Sequence, residues 1–152
     1  MTERSVVHET VAVRRTYDAA PERVFRAWTD PAQLQRWYVP GDETWSATIV
    51  EHDFRIGGRK RITFGTPADR FSEDCWYVDI VANQRICYAM TVAHGEVRIS
   101  VSMVTAEFLP HGRGCALRVT DQLTILDGGD TAEGRQRGWG ETLDKLPAVI
   151  AT

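Results

Sequence analysis

The sequence predicts an α+β chain: one antiparallel sheet of about seven strands, two short helices after the first strand, and a long C-terminal helix. Three observations predict it. Strand-like alternation fills Val6 to Tyr17 and most of the stretch from Trp45 to Leu123. Two proline-started helical segments lie between those blocks. The last segment carries Trp139, Leu143, Leu146 and Ile150 at spacings of four, three and four, one face of a helix. Strands grouped apart from helices mean α+β rather than alternating α/β.

The elements follow in order. Val6 to Tyr17 is a first strand with Val7, Val11 and Val13 alternating on one face, continued by Arg15 and Tyr17. Pro21 opens a helix to about Thr29 that buries Val24, Phe25 and Trp28. Asp30-Pro31 opens a second, ending near Trp37 before Pro40-Gly41. Trp45 to Glu51 and Arg59 to Gly65 are strands either side of a Gly57-Gly58 turn or bulge. Ser72 to Val81 and Arg85 to Val92 form a hairpin around Asn83-Gln84. Val97 to Phe108 is a long strand with Val97, Ile99, Val101 and Met103 on one face. Cys115 to Leu123 is the last. Thr131 is a good N-cap for the final helix, which runs to about Ile150 with Pro147 kinking or fraying its last turn.

Composition narrows the function classes. At 152 residues a single domain spanning 1–152 is expected, with 43% hydrophobic and 26% charged residues, an ordinary globular balance. The net charge of −3 gives no footprint for nucleic acid. The basic run Arg59-Lys60-Arg61 reads as a solvated strand face. No apolar stretch approaches the ~20 residues of a membrane span, and the N-terminus lacks the apolar core of a signal peptide. A cytoplasmic location is expected. Cys75, Cys87 and Cys115 match no zinc or redox spacing and read as small buried hydrophobes. No metal or cofactor is expected.

One helix is about 10 Å across. It covers only part of a seven-stranded sheet, so the sheet must curl around it, which tends to leave a hollow. Trp45, Trp76, Tyr88, Met90, Met103, Trp139 and Leu143 are the candidate lining of a small-molecule site. Gly138 and Gly140 flank Trp139 inside the helix, where each glycine costs about 1 kcal/mol relative to alanine. They imply room there, either for close packing or for a cavity.

Four segments together resemble a known family: AAPERVFRAWTDPAQLQRWY (19–38), HDFRIGG (52–58), VTAEF (104–108) and GWGETLDKL (138–146). The set is similar to the START-like, or SRPBCC, superfamily, and more closely to homologues of the activator of the heat-shock-protein 90 ATPase. The resemblance implies the helix-grip architecture, a curved sheet gripping the C-terminal helix around a deep cavity. It implies several functions, since the superfamily holds lipid and hormone carriers, polyketide cyclases, self-resistance proteins and a chaperone co-factor domain.

Candidate catalysts come from the hairpin. Pairing around Asn83-Gln84 sets Asp79 opposite Tyr88 and Tyr77 opposite Met90, unless the register slips by one. Asp79 beside Tyr88 would make an acid/base pair if both face the cavity. Glu107, on the face of Met103, adds a second carboxylate. Arg15, Asp53 and Arg55 read as a structural ion-pair set. There is no GxSxG elbow, HExxH or P-loop lysine. Three readings stand: a binding protein for a small hydrophobic or aromatic molecule, a cyclase- or hydrolase-like enzyme on the same scaffold, and a chaperone-contacting interaction module. A homodimer is compatible with five tryptophans in 152 residues.

Overall fold

Pro21 and Pro31 each start a helix, since a proline's missing N–H has no partner in a first turn. The structure is a computed structural model that describes residues 3–151. It contains β1 (Val6–Tyr17), α1 (Pro21–Thr29), α2 (Pro31–Trp37), β2 (Ser46–His52), β3 (Arg59–Thr66), β4 (Asp69–Val81), β5 (Arg85–His94), β6 (Val97–His111), β7 (Gly114–Leu126), α3 (Ala132–Leu143) and α4 (Leu146–Ile150). Asp30 ends α1 and caps α2, its carboxylate accepting the Ala32 N–H at 3.0 Å. Thr131 caps α3 by accepting the Gly134 N–H at 2.9 Å.

The strands form one seven-stranded sheet in the order β1-β7-β6-β5-β4-β3-β2, every neighbouring pair antiparallel. The helices pack on one face, in the helix-grip arrangement. On that inner face, side chains from neighbouring strands stand in rows. Lys60, Cys75, Met90 and Ser102 make one, and Ile62, Glu73, Val92 and Ser100 the next. At one end α1 and α2 close the core with aromatic rings. Trp28 lies 4.9 Å from Trp37 and 5.8 Å from Phe108, and stacks on Trp139 at 6.4 Å.

Two β-bulges change the expected faces. The first lies between Tyr77 and Asp79, so Tyr77 pairs with Tyr88 while Asp79 pairs with Cys87. The expected pairings of Asp79 with Tyr88 and of Tyr77 with Met90 are therefore corrected. The second lies opposite Val92 and Ala93 and leaves Ile99 unpaired on β6. Beyond it Ser100, Ser102 and Val104 point inward, while Val101 and Met103 are exposed. The expected face Val97, Ile99, Val101, Met103 is thus not the buried one. An extra residue in one strand reverses the phase of every side chain past it.

The C-terminal helix also departs from expectation. It breaks after Leu143 and resumes at Leu146, so the interruption sits upstream of Pro147. Pro147 has no N–H to give to the carbonyl four residues earlier, that of Leu143. The buried Tyr17 hydroxyl takes that place, donating to Leu143 O at 2.9 Å.

Candidate functional site

α3 is held to the β7 side of the sheet through Arg135 and Trp139, both bonded to Asp121. Beside it the inner face of β3, β4 and β5 borders a cavity of about 650 Å³. Tyr38, Trp45, Phe64, Phe71, Met90 and Trp139 supply most of its apolar wall. Trp45 stacks on Phe71 at 5.6 Å, Phe71 on Phe64 at 5.4 Å, and His94 on the Phe71 ring at 4.4 Å. His94 also bonds Asp69. The segment after α2 borders the cavity through Tyr38, Pro40 and Gly41. Lys145 pins it, donating to Val39 O at 2.5 Å and Gly41 O at 3.1 Å.

Four acids line the cavity, Asp42, Glu73, Asp130 and Glu141, and Glu73 is the one bonded to the aromatic wall. Glu73 lines it between Phe71 and Cys75 on β4, and the Tyr38 hydroxyl donates to Glu73 Oε1 at 2.8 Å. The Cys75 thiol donates to the same oxygen at 3.5 Å. Tyr38 and Tyr88 hydroxyls are 2.8 Å apart. Burial drives both phenols well above their ordinary pKa, with the Glu73 charge adding to it, so both keep their protons. A phenol has one proton to give. Tyr38 gives its proton to Glu73, so the Tyr38–Tyr88 bond runs from Tyr88 to Tyr38.

Behind this pair lies Lys60, fully buried. Its Nζ stands 4.1 Å from the Tyr38 ring centre, 4.2 Å from that of Tyr88 and 5.9 Å from that of Tyr77. It has no hydrogen-bond acceptor among the described residues. The tyrosine faces compensate a desolvated ammonium through their ring quadrupoles. Next to it His52 bonds the Tyr77 hydroxyl at 2.9 Å. Burial first, and then the Lys60 charge, lower the His52 pKa from 6.5 to about 4.

A second buried cluster ties α3 to the sheet. Arg135 donates to Asp121 Oδ2 at 2.9 Å, to Ser102 Oγ at 3.2 Å and to Ser100 Oγ at 2.6 Å, and it pairs with Asp130 at 2.9 Å. Trp139 Nε1 adds a 3.0 Å bond to Asp121 Oδ2.

Of the residues expected from sequence, Trp45, Met90 and Trp139 line the cavity. Tyr88 lies just behind its wall and Leu143 is fully buried in the core. Four others are on the opposite face, a correction to the expectation that they face the hollow. Asp79, placed outward by the β4 bulge, pairs with Arg85 at 2.5 Å. Glu107 pairs with Arg118 at 2.8 Å, and those guanidinium bonds hold its carboxyl below the ordinary range. Trp76 lies under the Arg59 guanidinium at 5.0 Å. Met103 is exposed beside Cys87, with their sulfurs 3.5 Å apart. Arg15 is also reassigned. It pairs with Asp144 at 2.7 Å, while Arg55 pairs with Asp53 at 2.8 Å.

The sequence reading missed Glu73, Lys60, Tyr38, Asp121 and Arg135. For two of them a signal was present. Glu73 shares strand parity with Phe71, Cys75 and Tyr77, and Lys60 shares it with Ile62 and Phe64. Arg59 and Arg61 do face out, toward Asp74. The solvated-face reading of the basic run therefore holds for its ends and fails at its centre.

A family model described as activator of Hsp90 ATPase homolog 1-like protein matches residues 18–151. The chain belongs to that family. Its fold is shared with solved proteins from several bacteria. An uncharacterized protein from Rhizobium leguminosarum is 33% identical over 99% of both chains, with a TM-score of 0.87. The Mll3558 protein from Rhizobium loti is 37% identical, over 95% of this chain and 99% of that one, with a TM-score of 0.85. Protein CV1439 from Chromobacterium violaceum is 27% identical, over 94% and 97%, with a TM-score of 0.82. No functionally curated protein matches significantly. Among the described residues, no helix of this family member is long and apolar enough to cross a membrane. No three His, Cys, Asp or Glu side chains among them converge as metal ligands.

Proposed function

We propose that the chain, acting as one START-like domain over 1–152, binds a small apolar or aromatic molecule between the sheet and α3. The observation that carries this reading is the cavity itself. Its volume of about 650 Å³ lies in the range of small-molecule sites, and its lining combines aromatic rings with a limited set of polar and charged side chains, Glu73 among them. Trp45, Met90 and Trp139 are the contacts from the sequence reading that line it, and Tyr38, Phe64 and Phe71 join them. A cytoplasmic setting goes with three unpaired cysteines.

The test is a thermal-shift screen with fatty acids, polycyclic aromatics, flavonoids and polyketides. A ligand at 100 times its Kd adds about 2.7 kcal/mol, a rise of roughly 5–10 °C for a domain of this size. A hit that Trp139→Ala weakens supports the reading, and a flat panel overturns it. The family's name adds the middle domain of the Hsp90 chaperone to the panel. A shift with that domain alone would replace the ligand reading by an interaction module. Light scattering on the same samples reads whether a homodimer forms.

A second reading, an acid/base enzyme of cyclase or hydrolase type, is favoured by one observation. A carboxylate beside a phenol, sought at Asp79 and Tyr88, occurs at Glu73 with Tyr38 and Tyr88 behind it. Turnover of a bound hit that disappears in Glu73→Gln while binding persists would establish it.

A further inference from the structure

We infer that the molecule this cavity takes enters with an N–H or O–H donor leading, and that Glu73 is the residue that selects for it. The inference rests on the ligand-binding reading above and names the chemistry of the ligand's buried end.

The argument is a count of donors and acceptors. Glu73 Oε1 already accepts from Tyr38 and Cys75. No described residue donates to Oε2. The donors that surround it are used: Tyr38 gives its proton to Oε1, and Tyr88 gives its own to Tyr38. An ionised carboxylate only accepts. What Glu73 offers the cavity is therefore one unfilled acceptor in an aromatic enclosure.

Cations do not change this balance at the Glu73 end. Lys60 stands behind the Tyr38 and Tyr88 rings and is absent from the cavity wall. Arg135 lines the cavity, yet its donors go to Asp121, Asp130, Ser100 and Ser102. His94 is taken by Asp69. The other charged lining groups are Asp42, Asp130, Arg137 and Glu141, so acids outnumber bases. An anionic head brought to Glu73 would meet like charge and find no donor. A hydroxyl or ammonium would fill Oε2. An empty acceptor of this kind discriminates, because the analogue lacking the donor leaves it desolvated and unpaired.

The experiment is calorimetric titration of the whole chain with four probes that share one apolar body: naphthalene, 2-naphthol, 2-naphthylmethylamine and 2-naphthoate. Wild type is expected to bind the alcohol and the amine at least about tenfold tighter than naphthalene and naphthoate. In Glu73→Gln, which keeps the shape and loses the charge, the amine's advantage should collapse and naphthoate should gain. Naphthalene or naphthoate binding as tightly as the two donors overturns this inference and leaves the cavity reading standing. An unchanged ranking in Glu73→Gln removes Glu73 from the role. Binding by none of the four overturns both readings. The wild-type ranking decides the question even if the variant fails to fold.

Discussion

Two buried polar clusters share the inner face of one sheet, and they are completed differently. Around Asp121 the bonds nearly close. Arg135 spreads its donors over Asp121, Asp130, Ser100 and Ser102, Trp139 adds another, and Asp121 Oδ1 alone is left over. Around Glu73 they stay open. Lys60 has no acceptor among the described residues, and the donors that reach Glu73, Tyr38 and Cys75, both go to Oε1. The first cluster joins a helix to a sheet, so every bond it makes fixes the position of α3. In the second, Glu73 borders the cavity with an oxygen free to find a partner, while Lys60 lies behind the Tyr38 and Tyr88 rings. An unmatched buried group such as Lys60 costs stability, whereas an open acceptor on a cavity wall is available to a ligand.

The largest effect should fall on the closed cluster. Arg135→Met strands Asp121 in the interior with one remaining donor, Trp139. Losing one partner of a buried pair costs about 3–5 kcal/mol. Urea unfolding should show that loss, and adding Asp121→Asn should recover part of it. A single variant within about 1 kcal/mol of wild type would break the comparison, because the closed cluster would then hold nothing. Lys60→Met should behave differently. Lys60 has no hydrogen bond to lose, so the variant gives up cation–π contacts of up to about 2 kcal/mol and recovers the desolvation cost of an unpaired ammonium, for a small net change. A cost as large as that of Arg135→Met would make Lys60 a strut of the fold.

The same contrast marks what was legible in the sequence. The elements were, because proline starts, the Thr131 cap and strand alternation are local signals. The site was legible only where alternation stayed in phase. Trp45, Met90 and Trp139 reach the cavity. Asp79 and Met103 follow bulges that no local pattern announces, and each landed on the outer face. Lys60 and Glu73 are visible in parity, but a charge in a strand reads as solvent-facing, as the basic run around Lys60 does. Asp121 and Arg135 stand 14 residues apart and meet only through the packing of α3 on β7.

A smaller effect sharpens the picture of the open side. His52 is held at about 4 in the fold against 6.5 unfolded. As pH falls below 6.5 the unfolded chain takes up the proton first, so stability declines from about 6.5 down to about 4 and then levels. Partial exposure of the ring limits this loss to about 1–2 kcal/mol. Denaturant midpoints across that window should show the slope, and His52→Phe should flatten it. Because the Lys60 charge contributes to the shift, Lys60→Met should move the His52 titration upward, as read by NMR. An unmoved titration would leave burial as its whole cause.

The smallest effect concerns the two glycines that flank Trp139 in α3, Gly138 and Gly140. A Cβ at Gly138 would meet only Pro40 Cβ, at 3.6 Å, an ordinary contact. A Cβ at Gly140 would stand 3.0 Å from an Arg15 guanidinium nitrogen, so the side chain that pairs with Asp144 would have to yield. Close packing thus accounts for Gly140 and does not account for Gly138, which lines the cavity. Gly138→Ala should therefore stabilise the chain by up to about 1 kcal/mol through helix propensity, raising Tm by about 2–4 °C. Gly140→Ala should gain less. The bulkier Gly138→Leu should weaken the binding of any cavity ligand while leaving the fold intact. If Gly138→Ala instead lowers Tm, the glycine serves packing after all, and the space beside it is a by-product of how α3 lies on the sheet.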